Sequence, residues 1–264
     1  MRKFNLLVSA ALLGASVALP VLAEDKAPTG PFGGNIAASV GFVTDYKFRG
    51  ISQTGNNPAA QGSLEYSIPV VEDAASLYVS AWGSNVNFFG AQSLEIDWTG
   101  GVRGTIKGVG YDLNVIYYTY PGGEDEVNYV EPGIKLSYDL GFATPYVGFR
   151  YSPDFQGAAA IANNLNSFSR TGDSQFYTAG VTVPLPFLAD YNVALMAEYN
   201  RQNIDNNTLW GTPDYSTWTA GVSATVFTLN LGLQYIGTSL SKAECFAGTN
   251  VCDDRVVFSA GKTF

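Results

Sequence analysis

Apolar and polar residues alternate along most of this chain, and the first clear example lies between Asn35 and Arg49. The even positions of this segment are Ile, Ala, Val, Phe, Thr, Tyr and Phe, whereas Asp45, Lys47 and Arg49 occupy odd positions. Successive side chains of a β-strand point to opposite faces, so the pattern predicts a strand from Asn35 to Arg49 with one apolar and one polar face.

The same alternation recurs to the end of the chain. It predicts about twelve strands of roughly ten residues each, the length that a tilted strand needs to cross the hydrocarbon core of a bilayer. Apolar positions of these strands include Leu64, Leu94, Tyr111, Val130, Val147, Tyr177, Tyr191, Trp218, Leu229 and Val256. The segment from Leu77 to Trp82 also predicts a strand, although its alternation does not define which face is apolar.

The predicted connections alternate between short and long. Short ones lie near 69–75, 104–110, 139–143, 184–190 and 227–228, and longer polar ones lie near 50–58, 84–92, 121–126, 152–173, 202–214 and 237–253. Short turns on one side and long loops on the other are typical of bacterial outer-membrane barrels, in which an even strand number places both termini together. The pattern predicts an all-β, transmembrane, antiparallel up-and-down barrel, and it disfavours a soluble β-sandwich.

The N-terminus has the features of a secretory signal peptide. Arg2 and Lys3 are followed by an apolar stretch from Leu6 to Leu19, and Val21 and Ala23 supply the small residues before a cleavage site. We therefore expect a cleaved signal peptide at 1–23, a periplasmic segment at 24–34 and a barrel at 35–264. No run of 18 or more apolar residues follows Ala23, so the sequence predicts no transmembrane helix.

Composition supports an exported membrane protein. Charged residues make up only 14% of the chain and aromatic residues another 14%, which is little surface charge for a soluble domain. Removing residues 1–23, which carry two basic and no acidic residues, takes the formal charge from −9 to −11. Such an acidic protein would be repelled by nucleic acid, so we expect no nucleic-acid partner. Cys245 and Cys252 predict one disulfide in an oxidising compartment, in preference to free thiols or a zinc site.

The C-terminal segment from Val256 to Phe264 resembles the targeting signal of outer-membrane barrels, which ends in an aromatic residue. Two further stretches, Val43–Gln53 and Leu77–Val86 with Glu95–Asp97 after them, resemble the TorF-type family of porins. The resemblance spans essentially the whole mature chain. It implies a Gram-negative outer-membrane barrel, assembled by the barrel-assembly machinery through the signal at Phe264, with a pore function.

Catalytic chemistry is poorly supported. The chain has no histidine, which excludes Ser-His and Asp-His mechanisms, and it has no phosphate-binding loop or metal-ligand cluster. We therefore expect a protein that is not an enzyme and that has no cofactor.

Charged residues at the inward positions are the candidate functional residues. An Arg or Lys facing lipid would cost about 2–4 kcal/mol near the midplane, so we expect charged residues to line the lumen. The candidate lining residues are Asp45, Lys47, Arg49, Glu65, Glu95, Asp97, Arg103, Asp112, Glu131, Lys135, Arg150, Glu198 and Arg255. Hairpin geometry predicts that Glu131 lies opposite Arg150, and that Asp112 lies near Lys135. It also places Arg49 beside Arg255 at the outer rim of the closing seam.

Two functions fit this lining. The first is a channel for passive diffusion of small hydrophilic solutes past charges of both signs, in a membrane of lipid and lipopolysaccharide. The alternative is a narrow or closed structural barrel that presents its long loops. The inward tyrosines and a constriction by the 152–173 loop would favour the alternative; those tyrosines are Tyr118, Tyr120, Tyr129 and Tyr146.

Overall fold

The computed structural model describes residues 30–72, 74–88, 92–122, 127–161, 164–170 and 172–264. The predicted signal peptide at 1–23 and most of the segment at 24–34 lie outside these residues. No helix in the described part of the chain is long and apolar enough to cross a membrane.

Twelve antiparallel strands form a closed barrel, which confirms the predicted fold class and strand number. The barrel strands are β1 (Asn35–Val43), β4 (Ala59–Val71), β5 (Ala75–Phe88), β6 (Gln92–Ile106), β7 (Val109–Thr119), β8 (Tyr129–Tyr138), β9 (Thr144–Ser152), β12 (Ser174–Pro184), β13 (Ala194–Ile204), β14 (Tyr215–Val226), β15 (Leu229–Thr238) and β16 (Arg255–Thr263). Each pairs with its neighbours in chain order, so the topology is up-and-down. Two short hairpins lie in the connections: β2 (Lys47–Phe48) with β3 (Ile51–Ser52), and β10 (Ala158–Ile161) with β11 (Asn164–Arg170).

The first and last strands close the barrel. Ser39 pairs with Thr263 and Val43 with Ser259, and Phe264 exchanges backbone hydrogen bonds with Ala38 in both directions, at 2.8 and 3.2 Å. The aromatic ring of Phe264 is exposed on the outside. This seam leaves no open edge along the paired length of the two strands, as membrane barrels require.

The outer surface of the barrel carries an apolar band. Residues that are at least 40% exposed there include Val40, Phe42, Leu64, Leu77, Val79, Trp98, Leu113, Val115, Tyr117, Val147, Tyr177, Leu195, Tyr199, Leu233, Tyr235, Val256 and Phe258. Their neighbours in each strand point inward and are mostly polar, because strand side chains alternate. The alternation in the sequence therefore predicted the facing of these strands correctly. For the strand whose facing it left undefined, the structure shows that Leu77 and Val79 point outward.

The two ends of the barrel differ. Five connections, together with the start of β1 and the end of β16, lie at one end, which we call the turn end. The connections at 44–58, 120–128, 153–173, 205–214 and 239–254, most of them longer, lie at the other end with the short connection between β5 and β6, and we call this the loop end. This asymmetry agrees with the alternation of connection lengths in the sequence, except that the predicted long connection near 84–92 is short because β5 and β6 extend to Phe88 and Gln92.

Candidate functional site in the barrel interior

The connection 44–58 folds into the barrel at the loop end, and we call it the plug segment. Its centre is the β2–β3 hairpin, where Arg49 and Gly50 have positive φ angles of 49° and 80°. A Cβ atom on Gly50 would lie 2.4 Å from Cγ2 of Thr238 on β15, so only glycine fits this approach to the wall. Strand β1 ends at Val43, and the predicted strand to Arg49 is therefore wrong by six residues.

Arg49 extends from the plug segment across the interior. Its Nη2 donates to both carboxylate oxygens of Glu131 on β8, at 2.8 and 2.6 Å, and its Nη1 donates to Oε1 of Gln202 on β13, at 2.6 Å. The side chains of Arg49 and Glu131 are only 2% and 0% exposed. A single arginine thus connects the plug segment to two separate walls of the barrel.

Several groups hold the charge of Arg49 in this buried position. Burial opposes the charged form, but the carboxylate of Glu131 outweighs it and raises the pKa of Arg49 above its usual range. The guanidinium also lies 4.7, 5.2 and 4.2 Å from the ring centroids of Phe48, Phe155 and Phe176. Cation–π contacts of this kind become stronger when water is excluded, so Arg49 stays charged in the core.

Aromatic rings fill the space around this ion pair. The rings of Tyr118 and Tyr129 stack at 4.4 Å, and Tyr129, Phe155 and Trp210 continue edge-to-face at 5.5 and 5.1 Å. Tyr118 and Tyr129 are 0% and 3% exposed, and the hydroxyl of Tyr118 donates to Glu131 at 3.1 Å. The loop-end half of the interior is therefore packed like the core of a soluble protein.

A second connection covers the plug segment. The ammonium of Lys47 donates to the backbone carbonyls of Gly50, Val251 and Asp253, at 3.2, 3.2 and 2.6 Å. Burial lowers the pKa of Lys47 to about 8, which still leaves the group mainly protonated at neutral pH. The predicted disulfide is confirmed: it joins Cys245 to Cys252 in this covering loop. The loop from Thr238 to Arg255 thus fixes the outer side of the plug segment.

Asp45 organises the fold of the plug segment itself. Its Oδ1 accepts hydrogen bonds from the hydroxyls of Ser52 and Thr54, at 2.5 and 3.1 Å. Arg255 lies 3.9 Å from the same carboxylate. We predicted that Arg255 lies beside Arg49 at the outer rim. This prediction is wrong, because Arg49 turns into the barrel at the β2–β3 hairpin.

The turn-end half of the interior carries a different set of contacts. Arg103 on β6 and Glu65 on β4 form two hydrogen bonds, one of them 2.9 Å long, and their side chains are 18% and 21% exposed. The hydroxyl of Tyr146 on β9 donates to Glu198 on β13 at 2.8 Å, and the ammonium of Lys135 lies 4.1 Å from the Tyr146 ring centroid. These partly exposed pairs form a belt of charges of both signs around one side of the barrel.

Small residues line the turn-end half around and beyond this belt. Gly101, Gly110, Gly180, Gly221 and Gly261 alternate along their strands with outward apolar residues, and inward serines include Ser39, Ser63, Ser137 and Ser223. Ser39 and Ser63 hydrogen-bond to each other across β1 and β4 at 2.6 Å. We call this region the turn-end chamber, because its inward residues keep part of their surface exposed whereas those of the plug region do not.

The register tests two predicted charge pairs. Asp112 on β7 lies directly opposite Lys135 on β8, as predicted. Arg150 on β9, however, lies opposite Gly133 and not opposite Glu131. The prediction assumed a tight turn, but the connection from Asp139 to Ala143 is longer, with Gly141 at a φ of 83°. Arg150 instead donates to Asn114 Oδ1 at 2.9 Å and to the backbone carbonyl of Glu131 at 3.4 Å.

Two of the remaining candidates lie together in the core. Glu95 and Asp97 on β6 are 2% and 5% exposed, and Glu95 accepts a hydrogen bond from the hydroxyl of Tyr120 at 3.2 Å. Burial, with the nearby carboxylates of Glu95 and Asp97, raises the pKa of Tyr46 in the plug segment well above its ordinary value. In the described part of the chain, no group of three or more His, Cys, Asp or Glu residues could hold a metal ion.

Sequence reasoning missed residues that complete the site. Gln202 and Phe155 contact Arg49, but neither charge nor periodicity distinguishes them in the sequence. The plug segment overlaps the stretch Val43–Gln53, on which the family resemblance rests. The pair Arg49–Gly50 was the available signal, because a glycine within an alternating stretch indicates a turn or a close backbone approach.

Comparison with known proteins supports the fold. One family model, described as a bacterial protein of unknown function (Gcw_chp), matches residues 25–264. No curated protein matches the sequence. The NanC porin structure is 10% identical with a TM-score of 0.53, and the alignment covers 87% of this chain and 98% of that one.

Two further solved structures are similar to the same degree. An outer-membrane channel from Pseudomonas putida F1 is 10% identical with a TM-score of 0.54, covering 87% of this chain and 95% of that one. A structure from a study of in-meso crystallisation of membrane proteins is 11% identical with a TM-score of 0.54, covering 87% and 83%. At these identities the likeness shows the shared barrel fold.

Proposed function

Because the chain belongs to the Gcw_chp family of bacterial proteins, for which no function is known, we propose its function from the geometry of the barrel. We propose that it is an outer-membrane channel for small hydrophilic solutes, closed at its loop end by the plug segment. The observation that carries the proposal is the polar inner face, which includes the partly exposed turn-end chamber.

The location follows from the outer surface. The exposed apolar band would face lipid, and the loop end would face lipopolysaccharide outside the cell. Export through the signal peptide at 1–23 and recognition of Phe264 by the barrel-assembly machinery complete this proposal. The porin and the outer-membrane channel with similar folds agree with it, as does the resemblance to TorF-type porins.

Solutes would enter the turn-end chamber and pass the belt of paired charges. Glu65, Arg103, Lys135 and Glu198 present both signs there, which suits zwitterionic or weakly charged solutes. The path then ends at the ion pair of Arg49 and Glu131. Transport therefore requires the plug segment to leave this position, and catalysis is no part of the mechanism.

Conductance in a planar bilayer tests the proposal. The wild-type protein should show rare, stepwise openings, because the plug segment is held by Arg49. Arg49→Ala should raise the open fraction strongly. The matched control is Arg201→Ala, since Arg201 lies one position from Gln202 but is 43% exposed and pairs weakly with Asp214 at 3.9 Å.

The alternative function is a closed barrel that presents its loops. The packed aromatic core and the disulfide of the covering loop favour it. Under this alternative, folded wild-type protein and folded Arg49→Ala protein would both remain silent in the bilayer. That result would reject the channel.

A further inference from the structure

A row of buried oxygen atoms without hydrogen-bond partners lies inside the barrel, next to the plug segment. The atoms are Oε2 of Glu95, Oδ1 of Asp97 and Oγ1 of Thr99 on β6, and Oγ of Ser80 on β5. These residues are 2%, 5%, 4% and 7% exposed, respectively. Buried polar atoms almost always find a partner in a folded protein, so a group of four in one place indicates bound water or a bound ion.

The strand geometry arranges these atoms in order. Glu95, Asp97 and Thr99 share the inward face of β6 at steps of about 6.6 Å, and Ser80 lies directly opposite Thr99. The hydroxyl of Tyr46, from the plug segment, is also buried, beside Glu95 and Asp97. One ligand can therefore bridge Glu95 and Asp97 beneath Tyr46, and the hydroxyls of Thr99 and Ser80 continue the row towards the turn-end chamber.

The charges around this row do not cancel. Glu95, Asp97 and Glu131 supply three buried carboxylates. Within the described residues, only two buried cationic side chains, Arg49 and Arg150, contact this group. Arg49 is committed to Glu131 and Gln202, and Arg150 donates to Asn114 and to the backbone of Glu131. One negative charge is left over, and an uncompensated buried charge costs several kcal/mol.

Neither a proton alone nor water alone resolves both problems, and the salt comparison below separates a cation from the two combined. A proton on either carboxyl group would remove the extra charge, but it would leave the remaining free oxygens without a partner. Water could satisfy the hydroxyls of Thr99 and Ser80, but it would leave the extra charge. A small cation satisfies the free oxygens and also neutralises the charge.

We propose that Glu95 and Asp97 bind one monovalent metal cation of the Na⁺ or K⁺ class, with the Tyr46 hydroxyl as a further ligand. Oxygen ligands suit such hard cations. A divalent ion would add one positive charge too many, and only two carboxylates face the site. The proposal depends on the fold of the barrel and not on its conductance, so its failure and that of the channel can be told apart.

Thermal unfolding of the refolded full-length protein tests the site. The midpoint is measured in NaCl, in KCl and in choline chloride at equal ionic strength, since a ligand that binds only the folded state stabilises it as its concentration rises. We expect a higher midpoint in Na⁺ or K⁺ than in choline. Equal midpoints in the three salts would overturn the proposal without any variant.

Variants locate the effect. Glu95→Gln and Asp97→Asn should each abolish the difference between the metal salts and choline. The matched control is Glu65→Gln, an inward carboxylate that has its own arginine partner and should keep the difference.

Anomalous scattering from thallium(I), a stand-in for K⁺, should give a peak between Glu95 and Asp97 in crystals of the wild type. A salt effect that persists in both site variants, one that appears only with Ca²⁺ or Mg²⁺, or thallium peaks only elsewhere would contradict the assignment.

Discussion

The two halves of the barrel interior each contain an arginine–glutamate pair, and the two pairs differ in their surroundings. Arg49 and Glu131 at the loop end are almost completely buried and enclosed by aromatic rings, whereas Arg103 and Glu65 at the turn end remain about one-fifth exposed. The first pair joins a connection to two walls, and the second joins strands β4 and β6 of the same wall. The same kind of ion pair thus closes the loop-end half of the barrel and lines the turn-end half.

The largest expected effect comes from breaking the buried pair. Arg49→Ala leaves Glu131 buried without its cation and should lower the free energy of unfolding by about 3–5 kcal/mol. Arg103→Ala, at the more exposed pair, should cost only about 1 kcal/mol. Urea unfolding of the refolded protein in lipid vesicles measures both values.

A double variant controls for the loss of packing. Arg49→Met combined with Glu131→Leu should recover much of the lost stability, because an apolar pair removes the buried charge altogether. Equal costs for Arg49→Ala and Arg103→Ala would mean that the loop-end half is as wet as the turn-end half.

The next effect concerns the loop that covers the plug segment. Replacing both Cys245 and Cys252 by serine opens a disulfide that spans a sequence separation of 7 and should cost about 2.5 kcal/mol of stability. Since Lys47 binds the carbonyls of Val251 and Asp253, protease cleavage within the plug segment should also become faster. Cleavage at the turn-end connections serves as the internal control, and equal acceleration there would contradict local release.

The smallest effect compares two tyrosines that donate to glutamates. Tyr118→Phe removes a hydrogen bond to the buried Glu131 and should cost about 2 kcal/mol, as is usual for a bond to a charged group. Tyr146→Phe removes the bond to Glu198 in the chamber, where water can replace it, so its cost should be below about 1 kcal/mol. Urea unfolding under identical conditions gives the difference, and a larger cost for Tyr146→Phe would reverse the comparison.

The sequence predicts the barrel well because each strand repeats a local rule. The alternation of Leu64 with Glu65, or of Trp98 with Asp97, depends only on which way each side chain points. It therefore indicates directly which residues face the lipid and which face the lumen. The opposition of Asp112 and Lys135 was predictable for the same reason, given an approximate turn. The prediction for Glu131 was wrong because the turn after β8 shifts the pairing on that hairpin by two residues, so that Arg150 lies opposite Gly133.

The plug region could not be predicted in this way. The residues from Asp45 to Arg49 continue the alternation of β1, yet they leave the strand because Arg49 and Gly50 adopt positive φ angles. The contacts of Arg49 with Glu131 and Gln202 join positions 82 and 153 residues away, and no local pattern encodes such distances. The charges of Arg49 and Glu131 indicated that both side chains point into the barrel. They did not indicate that the two residues pair in the loop-end half and close it.

The central claim is that the barrel has a wet chamber at its turn end and a sealed core at its loop end. It is tested most directly by thiol labelling of two inward serines, Ser137→Cys in the chamber and Ser152→Cys in the core, where Ser152 is 0% exposed. In the refolded protein, a hydrophilic thiol reagent should modify Ser137→Cys readily and Ser152→Cys only slowly, and adding Arg49→Ala should make the second site reactive. Rapid labelling of Ser152→Cys with Arg49 intact, or protection of Ser137→Cys, would contradict the account.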